Sequence, residues 1–255
     1  MNGTSWISRN LQGLGNIALM ARDVVTSIVY DRISFRNLLY QLYFIGVRSQ
    51  SVVLITGAFT GMVLAAQSYF QFHRVRMDSA ILAVVGVSMC SELGPVLTGL
   101  MVAGRVGAAL AAELGTMRVT EQIDALRTLA THPVSYLVVP RITATIIALP
   151  LLTAESIAIG IGAAYVLSAT YLEVDPTYSW HWLVYYADPE GVMIGLMKAT
   201  VYGSIIGLVS CYKGMTCGEG AVGVGRATTE AVVFADIAIL ISNFFLTLFL
   251  NRVMY

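Results

Sequence analysis

The chain has 255 residues, of which 57% are hydrophobic and only 12% are charged, and its mean hydropathy is +0.75. A soluble domain carries about 25% charged residues because its surface must be solvated, so this composition excludes an ordinary soluble domain and indicates a surface that meets lipid. Fifteen Lys and Arg residues balance fifteen Asp and Glu residues, which gives no basic field for nucleic acid. The three cysteines form no CxxC pair and the three histidines are scattered, so we expect no metal site and no disulfide framework.

The first predicted element is an amphipathic helix over residues 5–32. Its apolar residues recur at spacings of three and four, and polar residues interrupt them: Ile7, Leu11, Leu14, Ala18, Ala21, Val25 and Ile28. Such a helix is expected to lie flat in the membrane interface. Packing against a soluble partner is the alternative.

Five apolar segments follow, at 44–72, 80–112, 136–168, 191–212 and 229–251. Each is long enough to cross a hydrocarbon core that needs about 20 residues. The sequence therefore predicts an all-α integral membrane protein with one transmembrane bundle over 44–251, in a single domain covering 1–255. The second segment would measure about 50 Å as one straight helix, and Gly94-Pro95 is predicted to break it because proline removes a backbone donor.

The distribution of Lys and Arg near the span ends predicts the orientation. Nine lie on the side of the N terminus: Arg9, Arg22, Arg32, Arg36, Arg118, Arg127, Arg141, Lys213 and Arg226. Three lie on the other side: Arg74, Arg76 and Arg252. We therefore expect a cytoplasmic N terminus and an external C terminus.

Small residues recur at every fourth position in three of the spans. They are Gly57, Gly61 and Ala65 in the first; Gly99, Ala103, Gly107, Ala111 and Gly115 in the second; and Gly191, Gly195, Ala199, Gly203 and Gly207 in the fourth. Such ladders allow helix backbones to approach closely in lipid. They predict tight packing within the bundle or with a second copy, and a mobile interface is the alternative.

Several ionisable residues fall inside the apolar segments, where they are costly and usually functional. They are Glu92, Arg105, Glu155, Lys198 and Asp236, with Glu113 and Glu230 nearer the cytoplasmic ends. A structural ion pair or a polar contact at a kink is one interpretation. The other is that Glu92 and Lys198 line a polar part of a transport path, with Lys198 facing a cavity.

Residues 116–133, between the second and third spans, predict a cytoplasmic amphipathic helix. Thr120 is a plausible N-cap, Glu121 and Asp124 suit the positive end of the helix dipole, and Pro133 ends the element. Its apolar edge contains Val119, Ile123, Leu126 and Ala130, and the pairs Arg118–Glu121 and Asp124–Arg127 are at pairing distance. The segment either lies on the membrane or docks into a cytoplasmic partner.

The glycine-rich stretch from Gly218 to Arg226 lacks the GxxxxGK[ST] order that binds nucleotide phosphates. No GxSxG elbow or HExxH pair is present. We therefore assign no catalytic residue and no cofactor to this chain, and ATP-driven transport would need a separate subunit to hydrolyse the ATP.

Four stretches carry a resemblance to a known family. They are Glu92-Leu-Gly-Pro-Val, the run Ala103-Gly-Arg-Val-Gly-Ala-Ala-Leu-Ala-Ala-Glu-Leu-Gly-Thr-Met-Arg, Thr120-Glu-Gln-Ile-Asp-Ala-Leu and Gly225-Arg-Ala-Thr-Thr-Glu-Ala-Val-Val. Together they resemble the MlaE/YrbE-type permeases of bacterial MCE lipid-transport systems, through nearly the whole chain. One departure is Ser91, because members of this family often have arginine immediately before the Glu-Leu-Gly-Pro motif, and the charge partner of Glu92 is then missing or supplied elsewhere.

The resemblance implies an ABC-transporter permease in the bacterial inner membrane that moves phospholipid between the inner and outer membranes. Its implied partners are a second copy of the chain, cytoplasmic ATPase subunits that use the ATP, and a periplasmic ring of MCE-domain proteins. The implied lipid-path residues are Glu92, Lys198 and Arg226, and Arg105 is a further candidate as an ionisable residue inside a span. The implied ATPase-coupling residues lie in or beside the 116–133 helix: Glu113, Gly115, Glu121, Gln122, Ile123, Asp124 and Leu126.

Two other classes of function remain as alternatives. An ion-coupled secondary transporter would use Glu92, Glu155 and Asp236 as proton relays, and it would show inverted repeats, which the sequence lacks. A membrane-embedded lipid-modifying enzyme would need a clustered acidic or histidine motif at a span end, and none is visible.

Overall fold

The structure is a computed structural model that describes residues 3–30 and 35–254. Regular structure in these two ranges is helical throughout, as the sequence predicts. The α-helices are α1 Gly3–Tyr30, α2 Phe35–Ile45, α3 Gln50–Phe72, α4 Ile81–Ser88, α5 Gly94–Val102, α6 Ala108–Val119, α7 Gln122–Thr128, α8 Val139–Thr170, α9 Pro176–Tyr186, α10 Pro189–Met215 and α11 Gly220–Met254.

Five helical segments are long and apolar enough to cross a membrane, which confirms the predicted number. They are Phe35–Val75, Asp78–Val119, Val134–Thr170, Pro189–Met215 and Gly220–Met254. The largest differences from the predicted bounds are at the first and fifth spans, which begin at Phe35 instead of residue 44 and at Gly220 instead of residue 229. Arg226, which the sequence places in a loop, is therefore helical.

The second span is not broken at Gly94-Pro95, contrary to the prediction. A π-helical turn, Met89–Leu93, precedes this dipeptide, and Gly94 donates its N–H to the carbonyl of Met89 five residues earlier. Pro95 then falls in the first turn of α5, where a missing N–H is tolerated. A second π-helical turn, Ala103–Gly107, leads into α6, so the span changes its winding twice without ending.

The N-terminal helix α1 is attached to the bundle by a face different from the predicted apolar one. Val24 is buried in a cluster with Leu137 and Val138, next to the segment that precedes α8. Val25 and Ile28, which belong to the predicted apolar face, are exposed. The side chains of Ile7, Leu11 and Leu14 and residues 31 and 32 lie outside the described part of the chain, and the placement of this helix in the membrane interface stays a prediction.

The small-residue ladders pack inside the chain. Gly61 of α3 touches α8 so closely that a Cβ added there would lie 2.0 Å from the carbonyl oxygen of Gly160. On α10, a Cβ at Gly203 would lie 2.8 Å from the carbonyl oxygen of Thr145, also on α8. Because no side chain separates these backbones, α3 and α10 both approach α8 closely, as small-residue interfaces in lipid do. This contact favours the packing interpretation of these ladder positions over a mobile interface.

The substitution Gly61→Ala is expected to destabilise the bundle, because the added methyl group meets the backbone of α8, which cannot move aside as a side chain would. Gly162→Ala on α8 is the matched control, since a Cβ there meets nothing within 4 Å. It should leave stability unchanged or raise it by up to about 1 kcal/mol, because alanine favours helix over glycine. Thermal unfolding midpoints in one detergent measure both, and equal midpoints would contradict the packing described here.

Candidate functional site

A buried ion pair joins the second, fourth and fifth spans. Lys198 of α10 is 0% exposed, and its Nζ lies 2.7 Å from Oε1 of Glu92, which is on the first π-helical turn. The same Nζ donates hydrogen bonds to the carbonyl oxygen of Ser91 at 3.0 Å and to Oγ1 of Thr247 on α11 at 2.8 Å. These three acceptors match the three N–H donors of an ammonium group, so the buried charge is fully paired.

Pro95 explains why the carbonyl of Ser91 needs a hydrogen-bond donor from another helix. Proline has no N–H, so the carbonyl of Ser91, four residues earlier, lacks the usual α-helical donor. Lys198 donates to that carbonyl instead. Gly195, three residues before Lys198, permits the approach, because a Cβ there would lie 2.2 Å from the carbonyl oxygen of Cys90. The backbone of the second span and the lysine of the fourth therefore complete each other's hydrogen bonding.

The carboxylate of Glu92 is oriented by a second set of polar side chains on α11. Asn243 donates from Nδ2 to Oε2 at 3.2 Å, and the hydroxyl of Thr247 lies 3.0 Å from Oε1. Asn243 is held in turn by the buried Tyr202, whose hydroxyl donates to Oδ1 at 2.7 Å. The Glu92 side chain nevertheless keeps 38% of its surface exposed, so the network presents one anionic edge at the outside of the bundle.

This geometry answers the question raised by Ser91. The charge partner that an arginine at position 91 would supply comes instead from Lys198 on α10. The expectation that Lys198 faces a cavity is wrong for this chain, because its side chain is enclosed and Glu92 carries the exposed edge. The role of both residues in a lipid path stays a prediction.

The other two predicted lipid-path residues lie away from this network. Arg105, on the second π-helical turn, donates from Nη1 to the hydroxyl of Ser49, which lies in the first span just before α3. Arg226 is 81% exposed and pairs with Glu230 at 2.8 Å on the first turns of α11. Since 21 residues separate Arg226 from Thr247, the two lie about 31 Å apart along the helix. The structure therefore places Arg226 at the opposite end of the bundle from Glu92.

The carboxylates of the proton-relay alternative are not linked to one another by hydrogen bonds in the described chain. Glu155 accepts a hydrogen bond from Gln50 at 3.0 Å, and its second oxygen is buried without a partner among the described residues. Oδ1 of Asp236 is likewise buried without a described partner. Glu92 is engaged by Lys198, Asn243 and Thr247. A relay through these three positions is therefore not favoured.

The segment 116–133 differs from the single helix that the sequence predicts. Residues 116–119 belong to the end of α6, and only Gln122–Thr128 form a separate helix, α7. Thr120 does not cap it, because its hydroxyl donates backward to the carbonyl of Thr116 and closes α6. Glu121, at φ 58°, makes the left-handed turn that redirects the chain. The predicted boundary is thus wrong by one helical turn.

The predicted coupling residues divide into an anchoring group and an exposed group. Ile123 is buried at the end of the bundle and Leu126 packs partly against the same cluster. The remaining α7 positions, together with the turn before it and the residue after it, are exposed: Glu121, Gln122, Asp124, Ala125, Arg127, Thr128 and Leu129. A partner would therefore meet this polar surface and the protruding Leu129, which is 74% exposed.

The ion pairs around this segment are partly as predicted. Arg127 binds Asp124 at 2.9 Å, whereas Arg118 and Glu121 form no ion pair within the described ranges. Glu113 binds the buried Arg141 of α8 at 2.8 Å and so links the second span to the third. Gly115 is buried, and its carbonyl accepts a weak hydrogen bond from the thiol of Cys217 at 3.5 Å.

Sequence reasoning missed the residues of α11 that complete the network. Asn243 is an amide within the apolar fifth span, so its polarity is a signal that the sequence offers. Thr247 and Tyr202 carry no comparable signal, because threonine and tyrosine are frequent in spans and their partners come from distant parts of the chain. The sequence indicates only a cytoplasmic position for Arg141, whereas the structure buries it against Glu113.

Comparisons with known proteins agree with this architecture. The family described as Permease MlaE matches residues 38–249. A probable ABC transporter permease protein of Rickettsia felis is 48% identical over 236 residues, which cover 92% of this chain and 91% of that protein. A probable ABC transporter permease protein of Synechocystis is 43% identical, covering 88% and 86%. The chloroplastic protein TRIGALACTOSYLDIACYLGLYCEROL 1 of Arabidopsis thaliana is 37% identical, covering 92% of this chain and 67% of its own length.

The two members of the ion pair are expected to respond differently to neutral substitution. Glu92→Gln leaves the enclosed Lys198 ammonium without a counter-charge and should lower the free energy of unfolding by about 3 kcal/mol. Lys198→Met removes the enclosed charge and leaves a carboxylate with an exposed edge, so it should lower the free energy of unfolding by less. Thermal unfolding midpoints of the two variants, measured in a single detergent, show which substitution destabilises the protein more.

The control for this comparison is Arg127→Met at the exposed pair with Asp124, which should cost less than about 1 kcal/mol. A lower midpoint for Lys198→Met than for Glu92→Gln would show that the lysine is not the enclosed member of the pair.

Proposed function

The chain belongs to the MlaE permease family, and on that premise we propose that it is the membrane subunit of an ABC transporter that carries phospholipids between the bacterial inner and outer membranes. The observation that carries this proposal is the polar network around Glu92. An ion pair among membrane-spanning helices is costly to maintain, and this one keeps an anionic edge exposed at the surface of the bundle.

The surroundings of Glu92 suit a molecule that is polar at one end and apolar at the other. Beside Asn243 and Thr247, α11 exposes Phe244, Phe245 and Leu248. A phospholipid could place its headgroup against the polar edge and its acyl chains along these side chains. A relative whose name contains the glycerolipid trigalactosyldiacylglycerol supports a lipid as cargo.

We propose further that two copies of the chain enclose the lipid. The buried residues of α11 are few and mostly small: Ala227, Ala231, Ala235, Ile239 and Leu250. From Val233 to Val253 its other faces expose large apolar side chains: Val233, Phe234, Ile237, Leu240, Ile241, Phe244, Phe245, Leu248, Phe249 and Val253. A second copy facing this surface would place two Glu92 networks around one cavity.

A separate ATPase would supply the energy, and α7 is the proposed contact. Its exposed residues are available to a cytoplasmic subunit, while Ile123 fixes it to the bundle. α7 follows α6 directly, and α6 is the inner end of the same helical segment that carries Glu92. A displacement of α7 would therefore reach the Glu92 network through the second span. The Glu113–Arg141 ion pair would carry the same displacement to the third span.

This assignment implies an inner-membrane location with α7 in the cytoplasm and the C terminus in the periplasm, in agreement with the excess of Lys and Arg on the α7 side. A periplasmic ring of MCE-domain proteins would receive or deliver the lipid at the opposite end of the bundle.

The proposal is tested by affinity purification of the tagged chain in mild detergent, followed by mass spectrometry of proteins and lipids. Recovery of a dimeric chain with an ABC ATPase and bound phospholipid is expected. Recovery of the chain alone, with neither ATPase nor phospholipid, would overturn the proposal.

The substitution Leu129→Asp is expected to abolish co-purification of the ATPase, because a charge replaces the most exposed apolar residue beside α7. It should leave the unfolding midpoint unchanged, since Leu129 is 74% exposed. Tyr171→Asp is the matched control, because Tyr171 is 80% exposed and lies at the other end of the bundle, just after α8. Unchanged ATPase recovery with Leu129→Asp would place the contact elsewhere.

A further inference from the structure

The helix α9 connects the third and fourth spans at the end of the bundle opposite to α7, and its composition is unusual. Its sequence, Pro-Thr-Tyr-Ser-Trp-His-Trp-Leu-Val-Tyr-Tyr, contains five Tyr and Trp residues and no Asp, Glu, Lys or Arg. The helix begins at a defined cap, because the carboxylate of Asp175 accepts hydrogen bonds from the backbone N–H groups of Thr177 and Tyr178. The chain therefore forms a regular helix here and concentrates aromatic side chains on it.

Two contacts fix the depth of α9 relative to the spans. Leu183 is buried against Gly86 of α4, where an added Cβ would lie 2.2 Å from its Cδ1. Trp180 meets Tyr165 of α8 edge to face, with 5.6 Å between the ring centroids. Gly86 and Tyr165 each lie five residues inward from the outer end of their helix, which is about 7.5 Å. α9 therefore lies alongside the last turns of the spans and does not stand above them.

The aromatic side chains of α9 point mostly away from the bundle. Trp182 stacks on Tyr186 with 5.5 Å between centroids and meets Tyr178 and Tyr185 edge to face. Tyr178, Trp180, Tyr185 and Tyr186 are each at least half exposed. Tyr178, Trp182, Tyr185 and Tyr186 form one group of touching rings, whereas Trp180 lies on the other flank of the helix, against Tyr165. These five side chains together are called the aromatic face of α9.

Within residues 169–190, the charges are confined to the segments on either side of α9. Glu173, Asp175, Asp188 and Glu190 are all exposed, and residues 169–190 contain no Lys or Arg. Charged ends suit water, whereas tyrosine and tryptophan, with a large apolar ring and one polar group, suit the boundary between headgroups and acyl chains. The charge pattern and the depth of the helix therefore both indicate a position at the boundary between lipid headgroups and acyl chains.

We propose that the aromatic face of α9 binds the headgroup–acyl boundary of the membrane leaflet opposite to α7 and anchors this end of the bundle at a fixed depth. This binding needs only that the five spans cross a bilayer, and it is independent of the cargo and of the ATPase. A periplasmic protein partner is the other class of occupant, and it predicts a different result in the experiment below.

Tryptophan fluorescence tests the proposal, because the chain has only three tryptophans, Trp6, Trp180 and Trp182. In the full-length variant carrying Trp6→Phe and Trp182→Phe, emission comes from Trp180 alone. The protein is reconstituted into vesicles whose lipids are brominated either near the carbonyl end or near the methyl end of the acyl chain. Emission of Trp180 is expected to fall more with bromine near the carbonyl end than near the methyl end, and to fall least with iodide in the water.

A second variant calibrates the depth scale. With all three tryptophans replaced by phenylalanine, Leu151→Trp places the only tryptophan at an exposed position near the middle of α8. Its emission should fall most with bromine near the methyl end. The proposal is overturned if bromine near the methyl end quenches Trp180 most, as it does Leu151→Trp. It is also overturned if iodide quenches Trp180 and neither brominated lipid does, which is the result expected if this surface binds a periplasmic protein instead of lipid.

Discussion

An ammonium group enclosed among membrane-spanning helices must find an acceptor for each of its donors, because no water is available to replace one. Lys198 meets this requirement only where three spans converge: the π-helical turn supplies Glu92 and the carbonyl of Ser91, and α11 supplies Thr247. Each contact therefore fixes the relative positions of the second, fourth and fifth spans. This one requirement explains why Lys198 donates to the carbonyl of Ser91, which Pro95 leaves without a helical donor, and why a glycine stands at position 195. It also explains the amide of Asn243, which holds the carboxylate of Glu92.

The same helices differ in how firmly they are held. α3 and α10 meet α8 through backbone contacts at Gly61 and Gly203, which leave no space for adjustment. α11 is attached through three alanines, Ile239 and Leu250, through the Lys213–Glu230 ion pair and through the polar network, and large apolar side chains on its other faces are exposed. Spans one, three and four are closely packed beside a less enclosed fifth span, and the Glu92 network joins the fifth span to the second and fourth. This arrangement suits a transporter. Under the proposed function, a second copy and the lipid would complete that junction.

The sequence predicts those features that depend on composition and on local pattern. The number of spans, the close packing at the ladder positions discussed above and the concentration of ionisable groups at Glu92 and Lys198 follow from apolar length, from small-residue spacing and from the cost of intramembrane charge. Features that depend on three-dimensional pairing do not follow. The sequence could not show that Lys198 is enclosed, that Thr247 shares its ammonium or that Ile123 anchors α7 to the bundle, because each partner lies in a distant segment. The predicted N-cap at Thr120 is wrong for a local reason, because a threonine hydroxyl can close the preceding helix as well as cap the next one.

The central claim, that phospholipid passes the polar edge at Glu92, is tested most directly by photo-crosslinking from position 244. A benzophenone amino acid replaces Phe244, which is exposed beside Asn243, and a second variant carries it in place of the equally exposed Leu151 on α8. The protein is reconstituted with the co-purified ATPase and labelled phospholipid, and crosslinked lipid is measured with and without ATP. The account predicts that ATP changes the yield at position 244 and leaves the yield at position 151 constant. An equal, ATP-independent yield at both positions would contradict it, because both would then report only the surrounding bilayer.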